Sequence, residues 1–268
     1  TLLLPQEPDS WQTYYNLGLV KQKQELLSQA EMLYHSALGL NHETCEAFNN
    51  LGEVQQDQGK LEEAEQNYQK GLKLKPDSVE LLNNLGTLFH ECGRYDKAIT
   101  CYETAISIQP DYPDAHLNLS LSCLLTGQYQ RGWDEYEWRW KISDVHQYKL
   151  DIPLWEGHDL KGKIILVYSE QGFGDTFQFL RYIPLLKGCG RSIFFHTRAT
   201  LKSQFEWCEG FDEIHVLIDE YSDIDADFLC PLMSFPKYFN TDLDSIPADI
   251  PYLKPVDADV KKCILRIP

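Results

Sequence analysis

In the first half of the chain, from Trp11 to about Val145, apolar and small residues return at steps of three and four, the period of an amphipathic α-helix. Short polar breaks divide these runs. Gly59, Gly93 and Gly127 occupy three breaks, and Pro76 and Pro110 close two of the runs. Glycine ends a helix because it enters left-handed backbone without a steric penalty, and proline ends one because it has no N–H to donate. The pattern predicts pairs of helices joined by tight turns.

The pairs repeat. Asn16-Leu17-Gly18, Asn50-Leu51-Gly52, Asn84-Leu85-Gly86 and Asn118-Leu119-Ser120 recur at a spacing of 34 residues. With repeats at 11–44, 45–78, 79–112 and 113–145, position 20 reads Ala30, Ala64, Ala98 and Gly132, and position 24 reads Tyr34, Tyr68, Tyr102 and Tyr136. Small residues let the two helices of a hairpin approach, large ones fill the remaining space, and each hairpin leaves an apolar face for the next to cover. Period and residue classes are those of the tetratricopeptide repeat (TPR), so an all-α TPR superhelix is expected. Arg139 breaks the pattern at position 27, where a small residue belongs, and marks a transition. Pro8 lies one period before His42, so residues 1–10 read as the tail of a preceding TPR.

At about 100° per residue, position 6 of each first helix points away from the hairpin core. That position holds Asn16, Asn50, Asn84 and Asn118. Position 2 shares the face with Gln12, Glu46, Glu80 and Asp114, and Glu53, Asp57 and Glu91 join it. An Asn amide donates and accepts, so a ladder of them can hold an extended backbone without reading side chains, or it can tie one repeat to the next. The ladder resembles the TPR superhelix of O-GlcNAc transferases, where such asparagines hold protein substrates. The expected partner is an extended, preferably basic peptide; the oligomeric state is left open.

After Trp140 the period ends. Residues 146–162 read as a linker, and residues 163–260 as an α/β Rossmann-like half domain, with 261–268 a truncated tail. "KIILVYSE", "SIFFHTR", "DEIHVLID" and "ADFLCPL" read as strands, and "DTFQFLRYIPLLKGCG" and "ATLKSQFEWCEG" as helices. Their alternation implies a parallel sheet. The first strand leads into Glu170-Gln171-Gly172-Phe173-Gly174-Asp175. Its glycines permit close approach to a ligand, but a dinucleotide fingerprint would need another glycine near Phe177.

The segments "GWDEYEWRW", "PLWEGHDLKGKIILVYSEQGFGDTFQFLRYIPLL" and "DFLCPLMSFPKYFNTDLDSIPADIPYL" resemble bacterial TPR proteins fused to a glycosyltransferase-like domain of the heptosyltransferase kind, which has a GT-B fold. The resemblance implies the N-terminal, acceptor-side lobe of an inverting, metal-independent enzyme. It places a catalytic base at Asp175, in the Gly174-Asp175 pair. A helix starting at Thr176 would instead make Asp175 its N-cap. Glu170 is a second acid or base candidate. Gln171, Gly172, Gly174, Gln178 and Arg181 are the expected substrate-binding loop. The complete enzyme would use a nucleotide-sugar donor, bound by a second lobe for which this chain has no room. No cofactor is therefore expected in this chain, which would be inactive alone; a non-catalytic TPR scaffold is the alternative.

Composition narrows the partners. The net charge is −17 over 268 residues, and both halves are acidic, which disfavours nucleic acid and favours basic partners. No apolar run suffices to span a bilayer, and eight scattered cysteines without a CxxC pair point to reduced thiols in a cytoplasmic protein. Asp223, Asp225 and Asp227 form a DxDxD run, but the glycine of a calcium loop is replaced by Phe228, so no metal is expected. His196 ends the second strand and could line a cleft. Trp133, Tyr136, Trp138 and Trp140 are expected to pack between the last repeat and the α/β half.

Overall fold

The computed structural model describes residues 10–142, 151–170, 172–186, 189–190, 192–196, 214–217 and 225–248. Its contacts separate two compact units, one up to Lys141 and one from Ile142.

The first unit is a row of four helical hairpins: α1 (Trp11–Lys23) with α2 (Leu27–Leu40), α3 (Cys45–Asp57) with α4 (Leu61–Leu74), α5 (Val79–Glu91) with α6 (Tyr95–Ile108), and α7 (Pro113–Leu125) with α8 (Tyr129–Tyr136). Each second helix packs on the first helix of the next hairpin. Tyr34, Tyr68 and Tyr102 are almost wholly buried, as are Leu51, Leu85 and Leu119 at position 7. Burying one such leucine stabilises the array by about 2 kcal/mol, a gain that exists only when a neighbouring hairpin covers it.

The turn inside each hairpin follows one recipe. A backbone N–H just past the turn reaches back to the last helical turn: Leu26 to Lys21, Lys60 to Gln55, Arg94 to Phe89 and Gln128 to Cys123. This closure needs one residue in left-handed backbone. Gly59, Gly93 and Gly127 supply it with φ between 69° and 80°, and Glu25 supplies it in the first repeat with φ 59°.

The fourth hairpin ends differently. Helix α8 is short and passes into a 3-10 helix, Glu137–Lys141. Arg139 lies there, 1% exposed. Its Nη1 donates to Glu137 Oε1 at 2.6 Å, and its guanidinium sits 4.3 Å from the centre of the Trp140 ring. Trp138 stacks face to face on His116 of α7, with ring centres 3.6 Å apart. These aromatics were expected to pack between the two halves; the contacts seen for Trp138, and those of Tyr136 and Trp140 with Arg139, lie inside the repeat unit.

The second unit holds a parallel sheet of four strands, β1 (Ile164–Tyr168), β2 (Ser192–His196), β3 (Ile214–Leu217) and β4 (Phe228–Pro231), in the order β3-β2-β1-β4. Ile165 to Tyr168 are buried, matching the apolar run of a strand covered on both faces. The helix expected after β1 forms only in part. It is α9 (Phe173–Phe179), followed by a 3-10 helix, Leu180–Leu186, that contains Pro184. A proline removes one α-helical hydrogen bond and crowds the preceding turn, which accounts for the change. The expected helix "ATLKSQFEWCEG" lies outside the described residues. The sheet is parallel, as expected.

Candidate functional site

Three of the four ladder amides, those of Asn50, Asn84 and Asn118, donate within the repeats. Asn50 Nδ2 donates to Tyr15 Oη at 3.0 Å, Asn84 Nδ2 to Asn49 Oδ1 at 3.0 Å, and Asn118 Nδ2 to Asn83 Oδ1 at 3.0 Å. Each rung therefore ties position 6 of one repeat to position 5 of the repeat before it. Asn16 is exposed, and Asn50, Asn84 and Asn118 are half-buried. Of the two readings of the ladder, these bonds are those of the second, in which the amides set how consecutive hairpins stack.

Between the second and third hairpins these contacts gather around Glu53. Its Oε1 accepts from Asn49 Nδ2 at 2.9 Å and from Asn84 Nδ2 at 2.7 Å, and its Oε2 accepts from Gln22 Nε2 at 3.3 Å. Burial still holds the Glu53 carboxyl above the usual carboxylate range, against the pull of these amides, and the charge of Glu80 adds to the rise. Tyr34 and Tyr68 donate to Gln22 Oε1 at 2.7 Å and Gln56 Oε1 at 3.0 Å. Burial raises both phenols, so they remain neutral donors.

A cavity of about 340 Å³ opens at this point, lined by Gln22, Glu53, Gln56, Asp57, Tyr68, Asn84, Thr87 and Glu91. Three of these are carboxylates, and none is a lysine or arginine. Asp57 and Glu91 are exposed, and Gln56 Nε2 donates to Glu91 Oε2 at 2.8 Å. Glu46, Glu80 and Asp114 stand exposed in the first turns of α3, α5 and α7. The residues not singled out from the sequence are Tyr15, Asn49, Asn83, Gln22 and Gln56. Position 5 carried a visible signal in the paired asparagines Asn49-Asn50 and Asn83-Asn84.

In the second unit, Glu170 Oε1 accepts from the Met233 backbone N–H at 3.1 Å, joining the loop after β1 to the segment after β4. The helix after β1 starts at Phe173 with Gly172 as its N-cap, so Asp175 lies inside the first turn and does not cap a helix starting at Thr176. Thr176 N donates to Gly172 O, closing that first turn. Gly172, Gly174 and Gln178 are exposed. Arg181 Nε donates to Gln178 O at 2.8 Å. Gln171 lies outside the described residues. Burial lowers the His196 imidazole below its ordinary value at the end of β2. Asp227 is committed to structure, accepting from Lys163 Nζ and the Ile164 N–H, both at 2.8 Å. Among the described residues no cluster of His, Cys, Asp and Glu could hold a metal ion.

Comparison with known proteins bears on the first unit. Residues 57–91 and 86–122 match the TPR repeat family. Over 63 residues the chain is 35% identical to protein FlbA of Caulobacter vibrioides; that stretch is 23% of this chain and spans only 11% of the relative's length. Among solved structures, it is similar to MamA (22% identity, TM-score 0.47, 52% of this chain and 81% of that one) and to Pseudomonas aeruginosa PilF (20% identity, TM-score 0.48, 52% and 64%). Residues 57–122 are thus tetratricopeptide repeats. The same hairpin geometry runs from Trp11 to Tyr136. No helix among the described residues is long and apolar enough to cross a membrane.

Proposed function

We propose that the first unit is a protein-interaction module whose groove takes an extended, basic segment of a partner protein. The observation that carries this reading is the cavity with Glu53, Asp57 and Glu91 in its wall and no cation beside them. Carboxylates held together on a partly desolvated wall repel one another, and a lysine or arginine side chain relieves that repulsion while gaining charge-assisted hydrogen bonds. Exposed acidic residues at position 2 extend the same sign of potential along the array and steer a basic partner toward it. A cytoplasmic setting suits such a module.

The test is calorimetric titration with lysine-containing peptides. Asp57→Asn and Glu91→Gln alter exposed side chains and leave the helices intact. Together they are expected to weaken binding about tenfold, and to flatten its dependence on salt. Unchanged affinity and salt dependence in the double variant would exclude the pocket.

A second reading concerns the α/β unit. In the order β3-β2-β1-β4 the chain leaves β1 on one side and returns on the other, so the ends of β1 and β4 flank a topological switch point, where open parallel sheets bind ligands. Glu170, Gly172, Gly174 and Asp175 follow β1 there. This supports an acceptor-side lobe of a glycosyltransferase-like protein, with Asp175 taking the proton of an acceptor hydroxyl and a nucleotide sugar as donor. Saturation-transfer NMR with a panel of monosaccharides tests it; absence of transfer to every sugar would leave the adaptor reading alone.

A further inference from the structure

We infer that the Asn84 rung of the groove reads the backbone N–H groups of a bound peptide rather than its carbonyls, an inference that rests on the peptide-binding reading above. A primary amide carries two N–H donors and one carbonyl acceptor. Both donors of Asn84 are engaged inside the protein, one on Asn49 Oδ1 at 3.0 Å and one on Glu53 Oε1 at 2.7 Å. Its Oδ1 receives no hydrogen bond among the described residues. The two hydroxyls beside it are turned inward as well. The Tyr68 hydroxyl donates to Gln56 Oε1 and the Thr87 hydroxyl to Asn83 O at 3.1 Å, and one N–H of the Gln56 amide is spent on Glu91. What the Asn84 rung offers a ligand is an acceptor, its carbonyl, with the carboxylates of Asp57 and Glu91 in the same wall. A peptide carbonyl placed on it would face other oxygens. A peptide N–H placed there meets a matched partner, and a basic side chain from the same segment meets the carboxylates.

The polarity sets a direction for recognition that a symmetric amide ladder would lack. It is tested on the ligand, which leaves the fold of the protein untouched. The tightest binder from a panel of lysine-containing peptides is resynthesised with each backbone N–H replaced in turn by an ester oxygen. One position is expected to lose roughly tenfold in affinity for the full chain, the scale of one hydrogen bond left unmade. In Asn84→Ala the same ester is expected to cost little, since the pair is already broken. Equal binding of every ester analogue, or an ester effect that persists undiminished in Asn84→Ala, would overturn the inference while leaving the basic-peptide reading standing. Failure of every peptide in the panel to bind would remove both.

Discussion

A β-carbon built on Gly52 would stand 2.6 Å from Cε1 of Tyr68, closer than two carbons can approach. The same contact recurs between Gly18 and Tyr34 at 2.6 Å and between Gly86 and Tyr102 at 2.5 Å. Two effects of Gly52→Ala oppose each other. Alanine favours the helix by about 1 kcal/mol, whereas forcing a methyl group into a packed site costs about 1–3 kcal/mol. The Tyr68 ring is fully buried and hydrogen-bonded through its hydroxyl, so it cannot swing aside cheaply, and overpacking wins. Gly39, within α2, has nothing within 4 Å of its would-be β-carbon. Urea denaturation is expected to show Gly52→Ala less stable than the parent and Gly39→Ala more stable.

Glu25 is the only non-glycine among the four residues that close the hairpin turns, at φ 59° where the others are Gly59, Gly93 and Gly127. Left-handed backbone costs a residue with a β-carbon about 1–2 kcal/mol, and glycine returns part of that through the extra freedom it has when unfolded, about 0.5–1 kcal/mol. Glu25 is exposed, so little packing is lost on replacing it. Glu25→Gly is expected to stabilise the array by about 0.5–1 kcal/mol, seen as a higher denaturation midpoint. A lower midpoint would show that the side chain has a role the backbone argument omits.

At the end of the array, Arg139 tests whether a buried charge is held for stability. Its side chain is 2% exposed and that of its partner Glu137 is 19% exposed. Removing Glu137 leaves the buried guanidinium uncompensated at a cost of about 3 kcal/mol, whereas removing the arginine leaves a carboxylate that still reaches water, at a smaller cost. Glu137→Gln is therefore expected to lower stability more than Arg139→Met. The reverse order, measured by the same denaturation, would place the contribution of Arg139 in its stacking between the Tyr136 and Trp140 rings.

The hairpins were legible because a repeated sequence states each contact several times. Gly18, Gly52 and Gly86 face Tyr34, Tyr68 and Tyr102 at fixed offsets, so the small-to-large pairing shows in the letters alone. The direction of position 6 followed from helical geometry, but its partners did not. The bond from Asn84 to Asn49 depends on how one hairpin stacks on the next, a relation no single helix encodes. Asp175 illustrates the weaker reading of the second half. Its context offered a good cap, yet the helix began earlier, at Phe173, and without a repeat there was no second copy to correct the boundary. The strands, by contrast, declared themselves as apolar runs such as Ile165 to Tyr168.

Glu53 joins the stability of the array to its proposed ligand through pH. Burial, the largest influence, raises its carboxyl above the usual range; hydrogen bonds from Gln22, Asn49 and Asn84 oppose the rise, and Glu80 supports it. A carboxyl with a folded value above its unfolded one binds its proton more tightly in the native state. Its contribution to stability is then fully present below the unfolded carboxylate value and is lost as pH rises through the folded value. Glu53→Gln is expected to abolish that decline, so the stability difference between variant and parent should grow with pH across this window. Binding of a cationic peptide has the opposite sign. It favours the ionised carboxylate, so affinity should rise over the same window and complex formation at its acidic end should release protons. Calorimetry of a lysine-containing peptide in buffers of different ionisation enthalpy measures both. Affinity that stays flat through the window in the parent, or rises equally in Glu53→Gln, would detach Glu53 from recognition and leave its role to the stacking of the second hairpin on the third.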